Sequence, residues 1–259
     1  MSVVAVWQEP VRGGFRVGMA ELPGLERVRA VMASDAVQPP LFRLTGIRVV
    51  QAGPGSATCS VPASLLLLDP LQWVDLFMLA ETAATMAATT GAAPGRDVRC
   101  AALSIYHQRV ARLDTERLIA RARTLHAGRT YSLVAVAVED AVGRPLARAM
   151  ASLVGTNAVD GDQLEAAEPA WPTPDPWQRE FRPAPIAEAL GGYHQPSSPD
   201  ADQEALLAPL HAQIGYRPLE WAPGRNATSL RTTHWLTDRP ERVAGGVIVG
   251  VTAWTMGRH

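Results

Sequence analysis

The sequence predicts an α+β fold in which an antiparallel β-sheet wraps around one central apolar α-helix. Three observations carry this. The stretch around residues 75–90 is apolar around most of its girth, with Leu76, Phe77, Leu79, Ala80, Ala83, Ala84, Met86 and Ala87. A helix of that kind is buried on nearly all sides. A hairpin pattern precedes it, and long alternating strand patterns follow it with no second helix between them. One sheet closing over one helix satisfies all three patterns together.

Each element has its own signal. Residues 23–33 read as a short amphipathic helix, with Leu25, Val28 and Val31 at helical spacing, ended by Pro39-Pro40. Residues 41–51 are strand-like, Ala52-Gly53-Pro54-Gly55 is a turn, and residues 56–63 alternate again, which predicts a β-hairpin. Asp69-Pro70 then opens the longest helix, since Asp is a good N-cap and Pro is favoured in the first turn. That helix runs to about Thr90 and stops at Gly91; it also carries Asp75, Glu81, Thr82 and Thr85. Four strands are predicted after it, at 98–110, 116–125, 131–139 and 144–156, as a meander. The turns between the later strands are His126-Ala127-Gly128-Arg129 and residues 140–143.

From residue 159 to 199 the composition shifts, and eight prolines fall in that stretch. It reads as a linker or surface strap, anchored by Trp171, Trp177 and Phe181. Beyond it the punctuation of the first hairpin returns at an offset of 169 residues. Gly46 matches Gly215, Arg48 matches Arg217, Pro54-Gly55 matches Pro223-Gly224, and Ser60 matches Ser229. Identical punctuation at identical spacing argues for duplication. The expected organisation is a complete unit over 1–157 with an N-terminal helix, a Pro-rich strap over 158–205, and a partial second unit over 206–259. The second unit would hold a hairpin and the start of a central helix.

Composition narrows the chemistry. The chain has 259 residues, 47% hydrophobic and 19% charged, with a net charge of -1. This is ample apolar material for a core, and the absence of a basic excess argues against a nucleic-acid partner. All 24 basic residues are arginine, so a Walker A lysine, a Schiff base and a pyridoxal-phosphate anchor are excluded. Cys59 and Cys100 form no CxxC pair, so neither a disulfide framework nor a cysteine metal site is expected. Residues 1–11 lack a basic region followed by a long apolar stretch, so no signal peptide is expected. No apolar run approaches the roughly 18 residues of a membrane span, and a cytoplasmic protein without a membrane partner is expected.

Leu79-Ala80-Glu81-Thr82-Ala83 on the central helix and His126-Ala127-Gly128-Arg129 at the later turn resemble the hotdog fold. So do residues 140–144 with Leu146-Ala147 at the final hairpin. The pattern is closest to acyl-CoA thioesterases of the phenylacetate-pathway (PaaI-like) type. The resemblance covers about 40–156, and more weakly 210–256.

In that family the central helix starts with His-Gly-Gly or a near variant, and a carboxylate follows seven residues after the second Gly. The resemblance implies that the glycine amide polarises the thioester carbonyl while the carboxylate activates water or attacks. It also implies that two units pair across the site, hence a homodimer or higher homo-oligomer, with no cofactor. The substrate would be an acyl-CoA or an acyl-carrier thioester. This sequence departs from the pattern. Seven residues before Glu81 stands Val74, preceded by Trp73 and Gln72. Gly245-Gly246 are in place in the second unit, but seven residues on stands Ala253. If the two units pair, each supplies what the other lacks. The expected site then joins Glu81 to the helix-start amides of Gly245 and Gly246, with Thr85 beside Glu81 and with Gln72, Trp73 and Phe77 toward substrate.

Several of these residues carry two readings. Burial of Glu81 in an apolar helix raises its pKa and suits a general base, yet a buried Glu can simply bond backbone or pair with an arginine. Thr85 sits one turn after Glu81 on the same face and could hold a water there. Its plainer role is a helix-packing residue bonded to its own backbone. Gln72 occupies the family's His position or is a plain first-turn residue. His107 reads as a structural strand histidine. Arg112, Arg117, Arg121 and Arg123 alternate on a strand face that is solvated or could receive a CoA phosphate. The expected function is acyl-thioester hydrolysis. A catalytically degenerate acyl-CoA binder or scaffold, and a dehydratase or cyclase on the same fold, are the alternatives.

Overall fold

The computed structural model describes residues 18–33, 38–62, 73–112, 115–157, 216–222, 225–230, 232, 236–239 and 242–256. The Pro-rich strap, Asp69-Pro70 and Gln72 lie outside the described residues.

The first unit begins with helix α1 (Gly24–Ala33) and a short helix α2 (Pro40–Thr45). Strands β1 (Arg48–Gly53) and β2 (Ser56–Pro62) form the expected hairpin, and the central helix α3 runs Trp73–Thr89. Strands β3 (Arg96–His107), β4 (Arg117–Ala127), β5 (Tyr131–Asp140) and β6 (Pro145–Asn157) follow. All six strands join one antiparallel sheet in the order β1-β2-β4-β5-β6-β3.

Alternation builds the wrap. Along β5, Ser132, Val134, Val136, Val138 and Asp140 are buried while the residues between them are partly exposed. Period-two patterning puts one set of side chains against the helix and the other outward. On α3 every residue from 76 to 89 is buried. The core joins Leu76, Leu79, Ala83 and Ala87 of that helix to Cys59, Val61, Leu118, Ala120, Val136, Val138 and Leu153 of the sheet.

Three local expectations are corrected. Residues 41–45 are helical rather than strand. Pro40 stands at the helix start, Thr45 Oγ1 donates to the Leu41 carbonyl at 2.8 Å, and Gly46 closes the turn with φ +74°. Proline tolerates the first helical turn and glycine the left-handed position after the last, so Pro39-Pro40 starts a helix as well as following one. The four later strands are not a simple meander. β3 sits at the far edge against β6, and Gln108 N still donates to Leu146 O at 2.8 Å beyond the strand end. Only β4-β5-β6 are tied by tight turns. Finally, His126 and Ala127 belong to β4, so the turn falls later than expected; Gly128 N donates to Tyr131 O at 2.8 Å across it.

The turn between β5 and β6 is held by Asp140. Its Oδ1 accepts from Val142 N at 3.1 Å and Arg144 N at 2.9 Å, and its Oδ2 pairs with the Arg144 guanidinium at 2.6 Å. Burial pushes the Asp140 carboxyl up, but the Arg144 bonds and charge and the Val142 amide outweigh it and hold it below the ordinary carboxylate range.

The later part of the chain contributes β7 (Tyr216–Ala222), β8 (Arg225–Leu230), the short strands β9 (Thr237–Arg239) and β10 (Arg242–Val243), and helix α4 (Gly245–Met256). β7 and β8 pair antiparallel by themselves. Their register matches that of β1 and β2 at the same offset of 169. Arg48↔Ser60 corresponds to Arg217↔Ser229, Ala52↔Ala57 to Trp221↔Asn226, and Gly53↔Ser56 to Ala222↔Arg225. Both hairpins are also bulged at the corresponding place, between Val49 and Gln51 and between Pro218 and Glu220.

Candidate active site

Helix α4 does not lie apart from the first unit. Its first turn packs on the face of α3 that carries Phe77, Met78 and Glu81. These positions are three and four residues apart, so they share one helix face.

Glu81 is 5% exposed and Thr85 is 4% exposed. Thr85 Oγ1 donates to Glu81 Oε1 at 3.0 Å. The hydroxyl is thus directed at the carboxyl itself, and the expected bond to its own backbone is not the one it makes. A buried charge needs partners of this kind, since removal from water without compensation is costly.

Gly245 opens α4 directly against this carboxylate. A Cβ built on Gly245 would stand 3.5 Å from Glu81 Oε1 and 3.8 Å from its carboxyl carbon. The first amides of a helix have no intrahelical acceptor and carry partial positive charge, so the start of α4 is an electrostatic partner for an anion. Gly245 and Glu81 are 164 residues apart in sequence.

Gly246 has different surroundings. A Cβ there would lie 2.7 Å from Met78 Cα, 3.1 Å from Phe77 O and 3.2 Å from Met78 N. Its hydrogen atom is what lets the two helix backbones touch. The structure thus separates two glycines that the sequence pattern treats alike: one faces the acid, the other faces backbone.

Of the remaining sequence candidates, Phe77 is 6% exposed and sits one turn before Glu81. Trp73 opens α3, and its side chain, like Gln72, falls outside the described residues. Cys59 and Cys100 were not singled out for the site, yet both feel it. Burial first and the charge of Glu81 second push the Cys59 thiol up. The same two causes push Cys100 to about 12. Burial lowers the pKa of His107, which is half-buried on β3. The arginines of β4 are accounted for in part: Arg117 Nη1 donates to the buried Ser60 Oγ at 2.7 Å, and Arg121 pairs with Glu139 at the surface at 2.7 Å. Among the described residues no group of three or more His, Cys, Asp or Glu could hold a metal ion. No helix among them is long and apolar enough to cross a membrane.

Residues 76–147 match the family model of the thioesterase superfamily. The six-stranded unit wrapped on α3 is a hotdog fold, as its sequence pattern implied. Among solved structures, the chain is similar to the PaaI protein of the phenylacetic acid degradation operon of Escherichia coli. The identity is 18% and the TM-score 0.44, over 54% of this chain and 97% of that one. A thioesterase of Haemophilus influenzae has 18% identity and a TM-score of 0.44, over 52% of this chain and 92% of that one. A Streptococcus mutans protein bound to acetyl CoA has 19% identity and a TM-score of 0.38, over 43% of this chain and 89% of that one. No curated protein matches the sequence.

Proposed function

We propose that this protein hydrolyses acyl thioesters, of CoA or of an acyl carrier, at one composite site formed by Glu81 of α3 and the start of α4. The observation that carries the reading is the placement of Gly245 against Glu81, with 3.5 Å between the glycine's missing Cβ and the carboxylate oxygen. The matching hairpin registers support reading 206–259 as a partial second copy of the first unit, so that α4 stands to α3 as one central helix to another.

The chemistry follows from these groups. The thioester carbonyl oxygen accepts from the Gly245 amide, and charge developing on it is stabilised by a preorganised donor, worth roughly 3 to 4 kcal/mol. Glycine at this place leaves room for the acyl group beside the backbone. Glu81 takes a proton from water as the water oxygen bonds to the carbonyl carbon. The C–S bond then breaks, and the thiolate leaves with the proton, giving a carboxylic acid and a thiol. Thr85 holds Glu81 in one orientation through its bond to Oε1.

The test is hydrolysis of a panel of acyl-CoA esters by the wild-type chain and by Glu81→Gln. General-base catalysis contributes about 10²- to 10⁴-fold, so Glu81→Gln loses rate on that scale. Equal turnover in both chains sinks the reading. Binding of acyl-CoA without turnover by the wild type assigns the protein instead to non-hydrolytic binding.

A further inference from the structure

We infer that Gly246 sets how closely the first turn of α4 approaches Glu81, and that it is a positioning residue and not a donor to substrate. This rests on the hydrolase reading above and deepens it.

The geometry is one-sided. At Gly245 a methyl group would enter at ordinary contact distance from the Glu81 carboxylate, 3.5 Å. At Gly246 it would meet backbone at 2.7 Å, 3.1 Å and 3.2 Å. A clash with a flexible side chain is relieved by a rotamer change, but Met78 Cα and Phe77 O belong to the interior of a helix whose residues from 76 to 89 are all buried. That helix is wedged in a close-packed core and has no slack to give. Any side chain at position 246 must therefore move α4.

The required movement is on the order of 0.7 Å, the gap between 2.7 Å and the 3.4 Å at which ordinary contact begins. Met78 lies three residues before Glu81 on one face, so the point of closest helix approach is one turn from the carboxylate. A shift at position 246 is passed to its covalent neighbour Gly245, the residue whose Cα substituent position lies 3.5 Å from Glu81 Oε1. Misplacement of about 1 Å in a catalytic constellation can cost on the order of 10²-fold in rate. Gly246 thus converts a packing contact into a catalytic distance.

Full-length wild type, Gly246→Ala, Gly245→Ala and a surface control, Ile248→Ala, are compared for kcat and KM on acetyl-CoA and hexanoyl-CoA. Thermal unfolding and crystal structures accompany the kinetics. In Gly246→Ala the inference expects cooperative unfolding, a kcat lower by about tenfold or more, KM within about twofold, and the start of α4 displaced from Glu81. Gly245→Ala is expected to keep the helix spacing and to raise KM, because its methyl fills space facing the acid. Unchanged kcat in Gly246→Ala overturns the inference, as does an unmoved α4. Failure of Gly246→Ala to fold while Gly245→Ala folds also overturns it, by assigning Gly246 to the scaffold alone. If the wild type turns over neither ester, the hydrolase reading fails, and the crystal structures still decide whether residue 246 sets the approach of α4 to Glu81.

Discussion

The two hairpins of this chain pair in the same register and carry a bulge at the same place, yet the helices that follow them are chemically opposite. After β1-β2 comes α3, buried at every position from 76 to 89 and furnished with Glu81 and Thr85. After β7-β8 comes α4, whose sequence GGVIVGVTAWTM has no acid anywhere, two glycines at its start, and an exposed flank at Ile248, which is 53% exposed. The shared register shows that two hairpins of different sequence can pair alike, because backbone bonds and a bulge position define the pairing. The helices answer to different demands. One sits inside a sheet and has its carboxyl bonded by the hydroxyl one turn on. The other carries no acid and brings a glycine against that carboxyl.

The largest effect that sharpens this contrast is on stability. Leu79 of α3 is fully buried, and Leu79→Ala is expected to destabilise the chain by about 2 to 5 kcal/mol in denaturant unfolding. Ile248→Ala on α4 is expected to fall within about 0.5 kcal/mol of wild type. Comparable losses at both positions would break the comparison, by showing that α4 is as enclosed as α3. An intermediate effect is expected at the buried pair. Thr85→Val keeps the shape of the side chain and removes the donor to Glu81, which is expected to cost about 1 to 3 kcal/mol and to lower kcat. The double variant Thr85→Val/Glu81→Gln should cost less than the sum of its parts, since the two side chains share one interaction.

The smallest effect is confined to acid. Asp140 has a folded-state pKa below its unfolded value, which is near 3.9. Its contribution is therefore complete at pH values above that unfolded value and is lost as pH falls through the folded one. Denaturant unfolding of wild type and Asp140→Asn should show the variant less stable near neutrality and the two chains converging at the acid end. A constant difference across the pH range would remove Asp140 from the account of the first unit's closing turn.

What the sequence made legible follows from how local each signal is. The all-round apolar character of α3 and the strict alternation of β5 are properties of contiguous residues, and β5 and the end of α3 are where the pattern placed them. Glu81 stood out because a carboxylate in such a helix needs a reason. The helix over 40–45 was hidden because Leu41, Phe42 and Leu44 are as apolar as a strand, and only Pro40 and Gly46 together mark a single helical turn. The edge position of β3 depends on which of several long strands reaches β6 first, a long-range choice that no turn residue encodes. The same limit applies at the site. The offset between the glycines and the acid suggested pairing, but the difference between Gly245 and Gly246 is a matter of which one meets Met78 backbone, and that is set by helix crossing alone.

Cys59 is wholly buried on β2, with its thiol held protonated by burial and by the nearby acid. Alkylating reagents act on thiolates, so this side chain is protected both by exclusion and by protonation state. Its labelling therefore waits for the sheet to come away from the helix, and the labelling rate measures how often the enclosure opens. Cys100, half-buried near the sheet edge, gives a second clock in the same molecule. Comparing the two would time the opening of the core against the fraying of its rim.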